Sequence, residues 1–187
     1  HLLYGINEKK GFLVLTGEVG AGKTTLCKTI LKRLDAGTKT ALILNSNLSE
    51  LQLLEAILDD FGVHVHRRTK IALLKQLNEF LLEELKKDSN VVLILDEAQN
   101  FSVSALESIR LLSNLETDKD KLFQIILVGQ PQLARKLNSR ALVQLRQRIG
   151  VRFHISPMAK DEASAYIYHR LRIAGSDGRI RFTDEAM

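Results

Sequence analysis

The sequence predicts an α/β fold: a five-stranded parallel sheet sandwiched by helices, with a helical extension starting at residue 157. Three observations carry this expectation. Five short apolar runs alternate with helically patterned stretches, the arrangement of a parallel sheet covered on both faces. The first run leads directly into Gly17-Glu18-Val19-Gly20-Ala21-Gly22-Lys23-Thr24, which satisfies G-x-x-x-x-G-K-[ST] at every fixed position. The third run ends in the paired acids Asp96-Glu97, at the carboxyl end of a strand, where open α/β sheets place their ligands.

The elements follow in order. Strands are expected at 12–16, 40–44, 91–95, 123–128 and 151–155. Each is rich in large or β-branched apolar residues and too short for a helix. Helices are expected at 23–34, 51–61, 71–87, 105–116, 131–137 and 142–149. In the first of these, Leu26, Ile30, Leu31 and Leu34 share one side. Ser49 is placed to cap the second helix and Gly62 to end it. Ser104 and Glu107 have capping-box spacing before the fourth. After Pro157 the alternation stops. One helix is expected over 160–174, closed by Gly175, then a turn at 176–178 and a new helix start at Thr183-Asp184-Glu185. The expected division is therefore an α/β core over 1–156 and the truncated beginning of an all-helical subdomain over 157–187.

Bulk properties bound the class. The chain has 187 residues, 45% hydrophobic and 26% charged, enough for one substantial core. Its single cysteine, Cys27, excludes an internal disulfide and fits a reducing compartment. No apolar stretch approaches the length of a membrane span, and no signal peptide is visible. A net charge of +5 permits acidic or nucleic-acid partners without requiring them. The densest basic cluster, His64-Val65-His66-Arg67-Arg68-Thr69-Lys70, reads as a solvated loop between helices. The chain opens at His1 and closes at Met187 beside a helix start, and is expected to be a piece of a longer protein.

The strand–loop–helix order at 12–34 is what a phosphate-binding loop needs. Glycines let several backbone N–H groups converge on one anion, and the helix N-terminus adds positive potential. Gly17, Val19, Gly20, Ala21, Gly22, Lys23, Thr24 and Thr25 are expected to hold the phosphates of ATP. Lys23 neutralises the β- and γ-phosphates, and the Thr24 hydroxyl takes Mg²⁺. Asp96 is the second expected Mg²⁺ ligand, directly or through water. Glu97 is the acid expected to polarise a water for attack on the γ-phosphate. At the end of the fourth strand, Gln130 is a candidate sensor of that phosphate or water; the alternative is a helix-capping glutamine. Asn45, Ser46 or Asn47, ending the second strand, could hold Glu97 in an inactive orientation. Arg146 and Arg148, at a helix end before the fifth strand, suit stabilisation of charge in a neighbouring subunit's site. They equally suit an exposed basic helix end complementing its dipole.

Together these pieces resemble the AAA+ ATPases. More narrowly they resemble the general secretion pathway protein A group, also called ExeA or GspA. The narrower resemblance rests on Leu3-Tyr4-Gly5-Ile6, Gly11-Phe12 and Leu15 to Gly20. It rests also on Leu95-Asp96-Glu97-Ala98-Gln99-Asn100, Arg110 to Glu116, Val128-Gly129-Gln130-Pro131, Arg146 to Ile149 and Tyr166 to Leu171. It implies a sheet of AAA+ type in which the strand ending at Gln130 lies between the phosphate-loop strand and the Asp96 strand. It implies Gln130 as a sensor, Arg146 or Arg148 as an arginine finger, a helical lid from Pro157, and Tyr166 or its neighbours bordering the nucleotide. It implies ATP and Mg²⁺ as cofactors and a homo-oligomer when ATP is bound. It further implies a membrane partner of the ExeB or GspB type, and a place on the cytoplasmic side of the bacterial inner membrane. The alternative is a DNA transposition or targeting ATPase of the TniB-like kind, which shares much of this core and which the basic 64–70 stretch favours.

Overall fold

The computed structural model describes residues 2–35, 37–115, 122–177, 180 and 182–183. It divides into two compact units, His1–Ile155 and Ser156–Met187.

The first unit is built on a wholly parallel sheet of β1 (Phe12–Gly17), β2 (Lys39–Ile43), β3 (Val91–Leu95), β4 (Gln124–Gly129) and β5 (Ile149–Ile155), in the order β2-β3-β4-β1-β5. The three central strands are buried along their whole length, as strands covered on both faces must be. The edge strands β2 and β5 alternate in exposure instead. Successive side chains point to opposite faces, so one strand feeds two cores. Phe12, Val14, Leu93, Leu95, Ile125 and Leu127 pack in the core beneath α3 (Glu50–Asp60), α4 (Lys70–Lys86), α5 (Val103–Leu112), α6 (Pro131–Leu137) and α7 (Val143–Arg148). Leu13, Leu15, Val92, Ile94, Ile126 and Val128 pack in a second core with α1 (Leu2–Asn7) and α2 (Lys23–Leu31).

The strand ending at Gln130 does lie between those ending at the loop and at Asp96. Register pairs Thr16 with Gly129 and Leu95 with Leu127, which brings the ends of β1, β4 and β3 to one edge.

Local chemistry explains most element boundaries. Ser49 caps α3 through a full capping box: its Oγ accepts from the Gln52 N–H, and Gln52 Oε1 accepts from the Ser49 N–H. Gly62, at φ 76°, ends α3, with Val63 N–H donating back to Leu58. α4 ends in the same way, but with Asp88 rather than glycine at φ 52°.

Several expectations need correction. α1 was not expected, because Leu2–Asn7 has no cap and a central glycine. Tertiary packing forms it: Leu2 and Ile6 are buried, and a Cβ on Gly5 would lie 2.5 Å from Leu13 Cδ2. α2 stops at Leu31 rather than at 34. α5 starts two residues before 105, because Ser102 and not Ser104 supplies the cap; Ser102 Oγ accepts from Ala105 N–H. α5 closes at Leu112, and Glu116 lies outside the described residues. The expected helix at 142–149 is a 3-10 turn at Arg140–Leu142 followed by α7, and Ile149 already belongs to β5.

The second unit contains α8 (Lys160–Ile173), opened by Glu162 accepting from the Ala159 N–H and followed by Gly175 at φ 88°. The expected turn at 176–178 is described only to Asp177, and the helix start at Asp184-Glu185 lies outside the described residues. Among the described residues no helix is long and apolar enough to cross a membrane.

Candidate nucleotide site

The loop between β1 and α2 curls through Gly20 at φ 79° and Gly22 at φ 83°, conformations that favour residues without a Cβ. Gly22 is also the N-cap of α2, and it has no side chain to bond the first helical N–H groups. Lys23, Thr24 and Thr25 form the first turn, so their N–H groups can meet an anion. Glu18, Val19, Gly20, Gly22 and Thr25 are exposed, with Gly17 buried and Ala21 half-buried beneath them.

Lys23 is buried, and its Nζ donates to the carbonyls of Gly17 and Glu18, each at 2.9 Å. An ammonium has three protons and no acceptor. Two uncharged carbonyls leave its charge uncompensated at the loop, a fit for phosphate. The Thr24 hydroxyl donates to Oδ2 of Asp96 at 2.6 Å, and Asp96 is only 2% exposed. Oδ1 of Asp96 accepts from the Glu97 N–H at 2.8 Å. The carboxylate of Asp96 is felt by Cys27 in α2. Burial first, and then the Asp96 charge, push that thiol up to about 12.

Glu97 adopts the left-handed backbone conformation, φ 50° and ψ 37°, in which non-glycine residues are uncommon. Its Oε2 accepts from Gln130 Nε2 at 3.3 Å and from Gln99 Nε2 at 2.5 Å. The structure thus joins Thr24 to Asp96 and Gln130 to Glu97, with Lys23 beside Thr24 in the first turn of α2. Gln130 is also the residue before α6, but its side chain makes no capping bond there; it faces Glu97 instead. The partners of Glu97 are these two glutamines rather than Asn45, Ser46 or Asn47. Asn45 Oδ1 accepts from the Asn47 N–H.

Gln99 is the residue that sequence reasoning missed. It lies in a 3-10 turn, Ala98–Asn100, inside the stretch Leu95–Asn100 that carries the family resemblance, but the resemblance gives it no role. The glycine at position 129 was the available signal, since a strand-end glycine marks close approach by a neighbour.

Arg146 and Arg148 lie in the last turn of α7, which packs on α5, α6 and β5. Arg146 is half-buried. Arg148 is exposed, and its Nη1 donates to Ser113 Oγ at the end of α5. Tyr166 lies on α8 in the second unit and is half exposed.

Comparison with known proteins adds four findings. Residues 6–137 match the AAA domain family. The chain is 43% identical to general secretion pathway protein A of Aeromonas hydrophila; the match covers all of this chain and 34% of that protein, about a third of its length. The ADP form of ORC2 from Aeropyrum pernix has a TM-score of 0.71 at 20% identity, covering 91% of this chain and 49% of that one. Cdc6p from Pyrobaculum aerophilum has a TM-score of 0.70 at 19% identity, covering 92% and 48%. These two likenesses are of fold.

Proposed function

We propose that this chain, which belongs to the AAA domain family, binds and hydrolyses Mg²⁺-ATP to drive assembly of an envelope secretion complex. One observation carries the catalytic half: the Thr24 hydroxyl touches the Asp96 carboxylate beside the phosphate-binding loop, with Glu97 next in sequence. A hydroxyl and a carboxylate are the hard oxygens that Mg²⁺ takes, and two protein oxygens leave room for phosphate and water. The donor set fits the ion. When bound, it would supply charge neutralisation at the β- and γ-phosphates.

The protein's own groups have distinct tasks. Gly17, Val19, Gly20, Ala21 and Gly22 shape the loop, and the N–H groups of Lys23, Thr24 and Thr25 bind phosphate oxygens. The third proton of the Lys23 ammonium is available to the same anion. Glu97 orients a water and takes its proton. Gln130, bonded to that carboxylate, reads the γ-phosphate end of the site. Arg146 or Arg148 completes the site of a neighbouring copy.

The secretion role is supported by the 43% identity to general secretion pathway protein A. On that reading the domain works on the cytoplasmic side of the inner membrane. It forms a homo-oligomer when ATP is bound, with a membrane partner of the ExeB or GspB type. The DNA-linked alternative is not favoured. The basic 64–70 loop is partly neutralised, since Lys70 pairs with Glu50 at 2.6 Å and Arg68 with Glu55 at 3.6 Å. The test is Lys23→Ala in the full-length protein. Nucleotide affinity should fall about a hundred-fold, the scale of a lost charged contact to phosphate; unchanged affinity contradicts the proposal.

A further inference from the structure

Gln99 is held at more points than a residue of a short turn requires. Its side-chain Oε1 accepts from the Gln130 backbone N–H at 3.0 Å, and its Nε2 donates to Glu97 Oε2 at 2.5 Å. The amide has only this orientation open to it, because an N–H needs the oxygen and a carboxylate needs the N–H. Its main chain is fixed from the other side. Lys136 Nζ on α6 donates to the carbonyls of Gln99 and Phe101 at 2.5 and 2.6 Å. Space for the amide comes from Gly129. A Cβ there would lie 2.5 Å from Gln99 Oε1, and the Gly129 backbone is not in the left-handed region that would itself call for glycine. The side chain of Gln99 therefore ties the end of β3 to the end of β4.

Both amide bonds to Glu97 fall on Oε2; Oε1 takes neither. We propose that Gln99 is a positioning residue: it locks the Glu97 carboxylate to the Gln130 segment, so that nucleotide sensed at Gln130 sets which way Glu97 points. The proposal rests on the reading of Glu97 as the water-activating acid. Gln99 itself touches no substrate. It transmits a displacement of the Gln130 backbone through one rigid planar amide to the carboxylate.

The test uses the full-length protein, with steady-state ATP hydrolysis and the affinity of a fluorescent ATP analogue as readouts. Gln99→Glu keeps the side chain's shape and its acceptor for Gln130 but replaces the donor to Glu97 with a second carboxylate. Gly129→Ala pushes the amide out of place, and Gln99→Ala deletes it. Each should lower kcat about ten-fold or more, a share of the roughly 10²–10⁴-fold that a well-placed acid–base group contributes, with affinity and KM within about two-fold. In a Glu97→Gln background, Gln99→Ala should cost nothing further, because both changes remove one device. Wild-type kcat in Gln99→Glu overturns the proposal, as does an additive loss in the double variant. A wild-type rate in Glu97→Gln alone overturns the underlying reading of Glu97 and the proposal with it. Loss of affinity in Gln99→Glu, with kcat retained, assigns Gln99 to binding and also overturns it.

Discussion

The hydroxyl of Thr24 lies 2.6 Å from Oδ2 of Asp96, across 72 residues of sequence. The contact joins the head of α2 to the end of β3, although β4 separates β1 from β3 in the sheet. A loop and an acid that sequence reasoning can only list side by side thus meet as one pair of oxygens.

That pair makes a sharp prediction for Thr24→Ala. In Mg²⁺, nucleotide affinity should fall about ten-fold; in excess chelator it should hardly change. Stability should also drop by about 1–3 kcal/mol, because the buried Asp96 carboxylate loses a donor. Titration with a fluorescent ATP analogue, with and without metal, measures the first effect and thermal unfolding the second. An equal loss of affinity in both conditions would remove Thr24 from the metal site.

What was legible in the sequence divides along physical lines. The central strands β1, β3 and β4 are apolar throughout, and the glycine loop has fixed spacing, so both could be read directly. Asp96 and Glu97 follow a buried run and were equally plain. Gln99 was not legible, because its function comes from the approach of Gly129 and Gln130, thirty residues away in a neighbouring strand. Two serines compete for the α5 cap: Ser104 has the glutamate spacing, but Ser102 has the geometry. α1 was invisible for a related reason: six residues with a glycine have little intrinsic helicity, and burial against β1 supplies it.

The arginines give a prediction about pairs of subunits. Arg148 is tied to Ser113, whereas Arg146 is half-buried in the last turn of α7. Arg146→Ala and Glu97→Gln proteins, which both keep nucleotide binding, should each be nearly inactive in hydrolysis. Mixed one to one, they should recover about a quarter of wild-type turnover, the share of interfaces with both an intact site and an intact finger. No recovery on mixing, with assembly intact, would contradict an arginine acting in trans.

Cys27 reports on the state of the fold around Asp96. Its thiol is pushed up to about 12 from 9.0, by burial first and the Asp96 charge second. A folded-state value above the unfolded one means the stabilisation is fully present below about 9 and is lost as pH rises toward 12. The native thiol should resist iodoacetamide at pH 8 and react only after unfolding. Stability should decline with pH across that alkaline window less steeply in Cys27→Ala than in the wild type. Rapid alkylation of the native protein at pH 8 would contradict the burial.

Asp88 offers a stability test remote from the site. It holds φ 52° at the end of α4, where its N–H donates to Leu85 and the Ser89 N–H donates to Glu84. Its carboxylate also meets the negative end of the helix. Asp88→Gly should stabilise by about 1 kcal/mol, raising Tm by about 2–4 °C. An unchanged or lowered Tm would contradict the strain argument.

The central claim is that this fold turns over ATP with Glu97 as the acid that activates water. Its most direct measurement is single-turnover hydrolysis by Glu97→Gln in the full-length protein, alongside nucleotide affinity. Wild-type affinity is expected, with a rate reduced at least about a hundred-fold. Hydrolysis at the wild-type rate would contradict it.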